Sequence, residues 1–203
     1  MLVRQRMTPE PVVISADAPL SEARQKMQAG GFRRLPVLSD GKLVGIVTDS
    51  DLRAHGDAPE GAKVGSVMRA PVLTIRSSAT VEEAAQLLIR HKIGGLPVVD
   101  DGKVVGILTA VDILKAFVDV MGASQPASAR IDFVLEGEEH GLTEASRIVS
   151  GEGGEILGVG TYREKLGENP VCYLRVVGGD PEKIAQALRA GGFDVLGVHA
   201  LAD

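Results

Sequence analysis

The residues of this sequence best suited to binding a ligand occur twice, in two copies of one short sequence motif. Thr48 is followed by Asp51 and Thr109 by Asp112, each pair directly after an apolar run rich in branched residues, as in a buried strand. A carboxylate there can accept hydrogen bonds from both vicinal hydroxyls of a ribose, each charge-assisted bond contributing about 1.5–3 kcal/mol. Each threonine begins a predicted helix, where free backbone N–H groups suit a phosphate.

The same Thr-x-x-Asp spacing has a simpler interpretation as a helix cap. The threonine would be the N-cap residue, and the aspartate would lie in the first turn. That interpretation stays open for each copy taken alone. The repeated context favours ligand binding in at least one cleft between the copies.

Two arginines distinguish the copies. Arg33 and Arg34 precede the first Leu-Pro-Val run, whereas Gly94 and Gly95 hold the equivalent places before the second. Guanidinium groups pair well with phosphate oxygens, so by their charge both arginines are candidate phosphate ligands. The alternative is that they are solvated residues at the start of a strand. In either case we expect the two clefts to differ.

The elements that position these residues form an internal repeat. Met68 lies 61 residues after Met7, and this spacing holds without a gap as far as Asp51 and Asp112, where the two motifs end. Each copy predicts a strand, a helix, a hairpin with an Asp-Gly turn and a second helix. About 60 residues make a small core, so we expect the copies to pack together about a pseudo-twofold axis. The last helix, 110–121, is predicted to turn Val111, Leu114 and Val118 inward.

A different domain is predicted to follow. The small-residue and proline-containing stretch from Met121 to Ser128 indicates a boundary. Beyond it the patterns predict the order β-α-β-β-α-β, which is that of a ferredoxin-like fold with an antiparallel sheet. The predicted organisation is repeat 1 at residues 1–60, repeat 2 at 61–121, a linker at 122–128 and a third domain at 129–203.

Composition excludes several functions. The chain has 203 residues, a net charge of −5, 3% aromatic residues and no tryptophan, which argues against nucleic-acid binding. The single cysteine, Cys172, and the lack of His-x-x-x-His spacing argue against a metal site. No signal segment or long apolar run appears, so we expect a cytoplasmic protein without a membrane partner. No catalytic constellation is found, and we expect no enzyme activity.

The repeated motifs identify a family resemblance. The Leu-Pro-Val strand, the Asp-Gly-Lys turn and the Gly-h-h-Thr-x-x-Asp ending (h for hydrophobic) resemble the cystathionine-β-synthase (CBS) domain pair, or Bateman module, over nearly all of residues 1–121. The resemblance implies an α/β pair of β-α-β-β-α repeats. It also implies up to two clefts for an adenosine ligand, with AMP, ADP or ATP as regulatory ligand and no cofactor. The sequence does not choose among these ligands.

The C-terminal part is similar to the ACT domain, a small amino-acid-sensing module of the α+β class. The similarity rests on the element order and on Gly141-Leu142 and Gly154-Glu-Ile156 flanking the first helix. It implies a possible amino-acid effector site at Gly141 and Leu142, although His140 replaces the proline usual in that family. A CBS pair followed by an ACT domain resembles the AcuB-type acetoin-utilisation accessory proteins.

Two functions follow as alternatives. The first is a regulatory protein that senses adenine nucleotides and signals to the ACT-like domain or to a partner protein. The second is a structural or dimerising adaptor that binds no nucleotide. In both cases we expect a homodimer, because Leu87, Ile89, Leu114 and Phe117 give the helices more apolar surface than one small core needs.

Overall fold

The computed structural model describes residues 1–57, 59, 61–134, 141–163 and 169–200. By its internal contacts the chain divides into two compact units, Met1–Leu114 and Lys115–Asp203. The predicted domain boundaries, with a linker at residues 122–128, stay predictions. No helix among the described residues is long and apolar enough to cross a membrane.

Both repeats contain a helix, a hairpin and a closing helix, as predicted. The first repeat comprises β1 (Thr8–Pro9), β2 (Ile14–Ser15), α1 (Leu20–Gly30), β3 (Arg34–Ser39), β4 (Lys42–Thr48) and α2 (Asp49–Ala54). The second comprises α3 (Val81–His91), β5 (Gly95–Asp100), β6 (Lys103–Thr109) and α4 (Ala110–Val120). Each repeat starts with a leading segment, which contains Thr8–Pro9 in the first repeat and Arg69 in the second. Short 3-10 helices, Val3–Gln5 and Val64–Ser66, precede these two segments.

The Asp-Gly turns of the two hairpins have the same backbone conformation. Asp40 and Gly41 have φ angles of 48° and 74°, and Asp101 and Gly102 have 49° and 76°. Two successive positive φ angles are those of a type I′ turn, whose twist matches that of the flanking strands. The turn fixes the register of each hairpin, and with it the position of the threonine that ends the second strand.

The leading segment of each repeat pairs with the hairpin of the other repeat. β1 lies antiparallel to β6 with Thr8 opposite Ile107, which gives the sheet order β1-β6-β5. Arg69 forms the equivalent bridge to Ile46 of β4, through two backbone hydrogen bonds of 2.9 and 3.1 Å. This exchange joins the repeats through backbone hydrogen bonds as well as side-chain packing.

One glycine in the second hairpin strand of each repeat permits this exchange. A Cβ placed on Gly45 would lie 2.5 Å from Met68 Sδ and 3.0 Å from the backbone oxygen of Arg69. At Gly106 a Cβ would overlap Met7 Sδ and lie 3.1 Å from the backbone oxygen of Thr8. A side chain at either position would have to displace the methionine and would crowd the backbone of the crossing segment, which glycine avoids.

α4 packs differently from the prediction. Val111, Leu114 and Val118, predicted to face inward, are 58%, 62% and 41% exposed, and Ala116 is the buried residue of this helix. The prediction was wrong because apolar residues occupy most of the circumference of α4, so their spacing does not single out one face. By contrast, Ala84 and Leu88 of α3 are buried as predicted.

The second unit contains the predicted order β-α-β-β-α-β. Its elements are β7 (Ala129–Val134), α5 (Gly141–Gly151), β8 (Glu155–Tyr162), β9 (Val171–Val177), α6 (Pro181–Ala190) and β10 (Val195–Ala200). The antiparallel sheet has the order β10-β7-β9-β8, a ferredoxin-like arrangement. Alternate sheet residues such as Ile131, Phe133 and Leu174 form the core with Val149 and Ile184 of the helices.

The two glycines at the crossing provide a test of the exchange. We expect Gly45→Ala and Gly106→Ala each to lower the free energy of unfolding by about 1–3 kcal/mol, the usual effect of overpacking a closed site. Urea unfolding measures this loss. Gly56→Ala is the matched control, because a Cβ there would meet only one atom, the Arg53 backbone oxygen, at an ordinary 3.4 Å. Equal stability of all three variants and the wild type would contradict the packing argument.

Candidate functional site

Two clefts open between the repeats, within the unit Met1–Leu114. Cleft A has a volume of about 740 Å³ and is lined by residues within 8–12 and 30–34 of the first repeat and 107–112 of the second. Cleft B has a volume of about 370 Å³ and is lined by residues within 46–53 of the first repeat and 69–73 and 92–95 of the second. Both volumes lie in the range of small-molecule sites.

The two clefts are built from equivalent positions of the repeat. Thr8, Thr109 and Gly31 in cleft A correspond, at the spacing of 61, to Arg69, Thr48 and Lys92 in cleft B. Each cleft therefore takes its threonine from one repeat and its leading segment from the other. The exchange of leading segments places these residues together.

Thr48 and Asp51 form a helix cap at the start of α2. Asp51 Oδ2 accepts hydrogen bonds from the backbone N–H of Thr48 at 3.0 Å and from its hydroxyl at 2.5 Å. The backbone N–H of Asp51 donates to the threonine hydroxyl at 3.3 Å. The capping interpretation of the sequence motif is therefore confirmed here, and one carboxylate oxygen is used by the cap.

Thr109 and Asp112 make the corresponding contacts at the start of α4. Asp112 Oδ2 accepts from the Thr109 backbone N–H at 2.8 Å and from its hydroxyl at 2.6 Å. Among the residues that the structure describes, no side chain or backbone N–H donates to Asp112 Oδ1. This half-buried carboxylate lines cleft A with one oxygen available to a ligand.

Asp51 has an additional partner that Asp112 lacks. Its Oδ1 accepts from Arg69 Nε at 2.9 Å and lies 2.8 Å from Arg69 Nη2. Burial raises the pKa of Asp51, but the hydrogen bonds from Arg69 and Thr48 outweigh it, so the pKa lies below its ordinary value of 3.8. Asp51 is 11% exposed and does not line cleft B.

Arg33 and Arg34 line both clefts, because they lie where the repeats meet. The Arg34 guanidinium packs over Gly94 and Gly95, where a Cβ on either residue would overlap it. Burial and the neighbouring charge of Arg33 lower the pKa of Arg34, and Asp112 acts in the opposite direction. The arginines of one repeat thus occupy the space left by the glycines of the other.

The first backbone N–H of each closing helix is engaged. Asp49 N donates to the Arg33 carbonyl oxygen at 2.9 Å, and Ala110 N donates to the Gly94 carbonyl oxygen at 3.3 Å. The Thr-x-x-Asp motif predicts free N–H groups for a phosphate at these positions. These two are not free, which leaves the side chains of Arg33 and Arg34 as the principal cationic groups shared by the clefts.

The predicted residues of the second unit are not brought into a described pocket. Gly141 begins α5 and Leu142 is 42% exposed, while residues 135–140, including His140, lie outside the described residues. The amino-acid effector site stays a prediction. Cys172 is buried in the sheet, and burial, with a smaller effect from Asp132, raises the pKa of its thiol to about 11. This environment fits a core residue rather than a reactive thiol.

Arg69 is the site residue that sequence reasoning missed. The side chain that completes the environment of Asp51 lies 18 positions along the chain, in the leading segment of the other repeat. The available signal was the difference between Arg69 and Thr8 at equivalent positions of the repeat. Among the described residues, no group of three His, Cys, Asp or Glu side chains could hold a metal ion.

Comparison with known proteins agrees with this architecture. The family model of the CBS domain matches residues 3–56 and 64–119, more than half of the chain. A CBS domain-containing protein of Dictyostelium discoideum is 35% identical over 143 residues, which cover 63% of this chain and 99% of that protein. Some relatives are much longer: the chain matches 20% of the inosine-5'-monophosphate dehydrogenase of Thermoplasma acidophilum.

Two solved structures are similar to the first part of the chain. CBSX2 of Arabidopsis thaliana, solved in complex with AMP, is 34% identical with a TM-score of 0.53, covering 58% of this chain and 96% of that one. A Vibrio cholerae protein named for acetoin utilization (AcuB) is 29% identical with a TM-score of 0.55, covering 61% of this chain and 95% of that one.

The pKa of Asp51 leads to a prediction for acid stability. The pKa of Asp51 is lower in the folded protein than its ordinary value of 3.8, so ionised Asp51 stabilises the fold at pH values above 3.8. This contribution is lost as the pH falls through the folded pKa. We expect Asp51→Asn to destabilise the protein by about 1 kcal/mol at pH 7. The difference from wild type should shrink below about pH 4.

Thermal unfolding between pH 7 and pH 3 measures this difference. Asp49→Asn is the control, since its carboxylate forms an exposed pair with Arg53 at 3.0 Å and should matter by less than about 0.5 kcal/mol. A difference between Asp51→Asn and wild type that stays constant over this pH range would contradict the assigned role of Asp51.

Proposed function

Because the chain belongs to the CBS-domain family, we propose that it is a regulatory protein that binds an adenosine-containing ligand in a cleft between its two repeats. The observation that carries this proposal is the geometry of Asp112. Its Oδ2 is fixed by Thr109, and its Oδ1 is available at the wall of cleft A. A carboxylate held in this way can accept hydrogen bonds from ribose hydroxyls with little loss of side-chain entropy.

The remaining walls of cleft A fit the other parts of a nucleotide. Val12, Phe32 and Ile107 provide apolar surface for an adenine. The side chains of Arg33 and Arg34 make no hydrogen bond to a protein acceptor among the described residues, so both can pair with phosphate oxygens. The AMP complex of CBSX2 supports AMP as the first ligand to test. ADP and ATP share its adenine and ribose.

The regulatory role rests on α4. This helix begins at Ala110, beside the ligand residues, and continues to Val120, beyond the boundary at which the second compact unit begins. A ligand bound by Asp112 would change the position or rigidity of α4, which signals to the ACT-like domain or to a partner protein. The effect is limited by the ligand's differential affinity for the two arrangements, typically about 1–3 kcal/mol.

We propose a regulatory rather than an enzymatic role. The longer relative named as a dehydrogenase is matched over one fifth of its length, so its activity does not transfer to this chain. The likeness of the second unit to an ACT domain, its amino-acid site at Gly141 and Leu142, and a role in acetoin utilisation belong to the same proposal. The similarity to the Vibrio cholerae protein supports the last of these.

We further propose that the protein is a homodimer. Val111, Leu114 and Phe117 of α4 are 58–62% exposed, and Ile89 of α3 is 77% exposed. Leu87, also expected on this surface, is partly buried against the core. Apolar residues exposed along two helices are typical of a helix-mediated interface. The alternative function is a dimerising adaptor with empty clefts. The exposed apolar residues are consistent with it, whereas the geometry of the clefts favours the ligand-binding function.

Loss of the Asp112 carboxylate tests the ligand proposal. We expect AMP to bind the wild-type protein. Asp112→Ala should weaken AMP binding about ten- to a hundredfold, because the hydrogen bonds to the ribose are lost. Titration calorimetry measures this ratio. Glu82→Ala, which removes an acidic residue from the first turn of α3 away from both clefts, should bind AMP like the wild type. If AMP, ADP and ATP all fail to bind the wild type, the adaptor function replaces the sensor.

Molar mass in solution tests the dimer. We expect light scattering at micromolar concentration to give twice the chain mass of 21.3 kDa. The double variant Leu114→Asp/Phe117→Asp should give the single-chain mass, because burying two carboxylates at an interface is costly. A wild-type protein that has the mass of one chain would contradict the dimer without affecting the ligand proposal.

A further inference from the structure

The two clefts contain the same Thr-x-x-Asp motif but present it differently. In cleft A the Asp112 carboxylate has one oxygen without a protein donor among the described residues. Beside cleft B both oxygens of Asp51 are occupied, Oδ2 by Thr48 and Oδ1 by Arg69, and it is Arg69 rather than Asp51 that lines the cleft. A ribose entering cleft B would find no open carboxylate oxygen.

Arg69 is well placed to hold this arrangement. Its backbone is fixed by the bridge to Ile46, with hydrogen bonds of 2.9 and 3.1 Å, so the start of its side chain is positioned by the sheet. Two of its nitrogen atoms approach the same oxygen of Asp51, at 2.9 and 2.8 Å. The carboxylate is 11% exposed and its arginine partner 63% exposed, so Asp51 is largely covered while Arg69 remains accessible to solvent.

Thr8 shows what this position looks like without the arginine. It pairs with Ile107 just as Arg69 pairs with Ile46 and lines cleft A, but its short side chain does not bond to Asp112. The hydrogen bonds to the second carboxylate oxygen therefore differ because of one pair of equivalent positions, Arg69 and Thr8.

We propose that Arg69 is a specificity-determining residue that closes cleft B to nucleosides, so that each chain binds one adenosine moiety, in cleft A. This inference rests on the proposed function, since it concerns how the two clefts share that role. A ligand reaches Asp51 only by displacing Arg69, so it must compete with a charge-assisted ion pair already present. The two clefts are thereby specialised. Cleft A is the nucleoside site, and at cleft B Arg69 occupies the carboxylate that a ribose would need.

Adenosine is the probe for the test, because it has no phosphate to interact with Arg69 directly. In the Asp112→Ala protein, where cleft A is weakened, adding Arg69→Ala should strengthen adenosine binding about tenfold by exposing Asp51. Adding Asp51→Ala to that protein should remove the gain. Arg90→Ala, an exposed arginine of α3 outside both clefts, should give no gain. Arg69→Lys, which keeps the charge but not the pair of nitrogen contacts, replaces Arg69→Ala if that protein does not fold.

The reverse substitution transfers the effect to the other cleft. Thr8→Arg in the otherwise wild-type protein should weaken adenosine binding about tenfold, and it should have no further effect once Asp112 is replaced by alanine. Calorimetry of the wild type should give one adenosine per chain.

Each contrary result has a distinct meaning. Two equivalent adenosine sites in the wild type, or no gain from exposing Asp51, would overturn the role of Arg69 and leave the sensor function intact. AMP binding without any adenosine binding would also overturn it, because the contacts to the phosphate, and not an open carboxylate for the ribose, would then decide which cleft is used. Failure of every nucleotide to bind would remove both this inference and the proposed function.

Discussion

The exchange of leading segments between the two repeats determines how the unit Met1–Leu114 is built. β1 adds to the hairpin of the second repeat, and the segment at Arg69 adds to that of the first. Gly45 and Gly106 allow the crossing chains to pass at a distance that no side chain would permit. Because of this exchange, each cleft combines the threonine of one repeat with the leading segment of the other.

Duplication gives the clefts the same backbone and lets single side chains make them different. The caps at Thr48 and Thr109 are nearly identical in their hydrogen bonds, so both carboxylates are held in the same orientation. What differs is the residue that faces the second oxygen. A charged arginine at that position turns a carboxylate from a ligand acceptor into half of an ion pair. Function in such a pair depends on residues outside the repeated motif.

Much of this fold could be predicted because local patterns agree with one another. The Asp-Gly turns, the branched strands and the spacing of 61 indicate the hairpins and their register, and the β-α-β-β-α-β order indicates the second unit. The exposed face of α4 could not be predicted, because apolar residues occupy more than half of the circumference of this helix and their pattern does not choose which part of that arc is buried. Nor could the pairing of Arg69 with Asp51, or the contact of Arg34 with both clefts, because these depend on which strands exchange between repeats.

Recognition of an adenosine moiety through Asp112 in cleft A can be seen in a crystal structure of the wild-type protein soaked with AMP. We expect one AMP per chain, with the ribose hydroxyls within hydrogen-bond distance of Asp112 and Arg69 still paired with Asp51. AMP bound with its ribose on Asp51 and Arg69 displaced, or bound outside both clefts, would contradict recognition through Asp112.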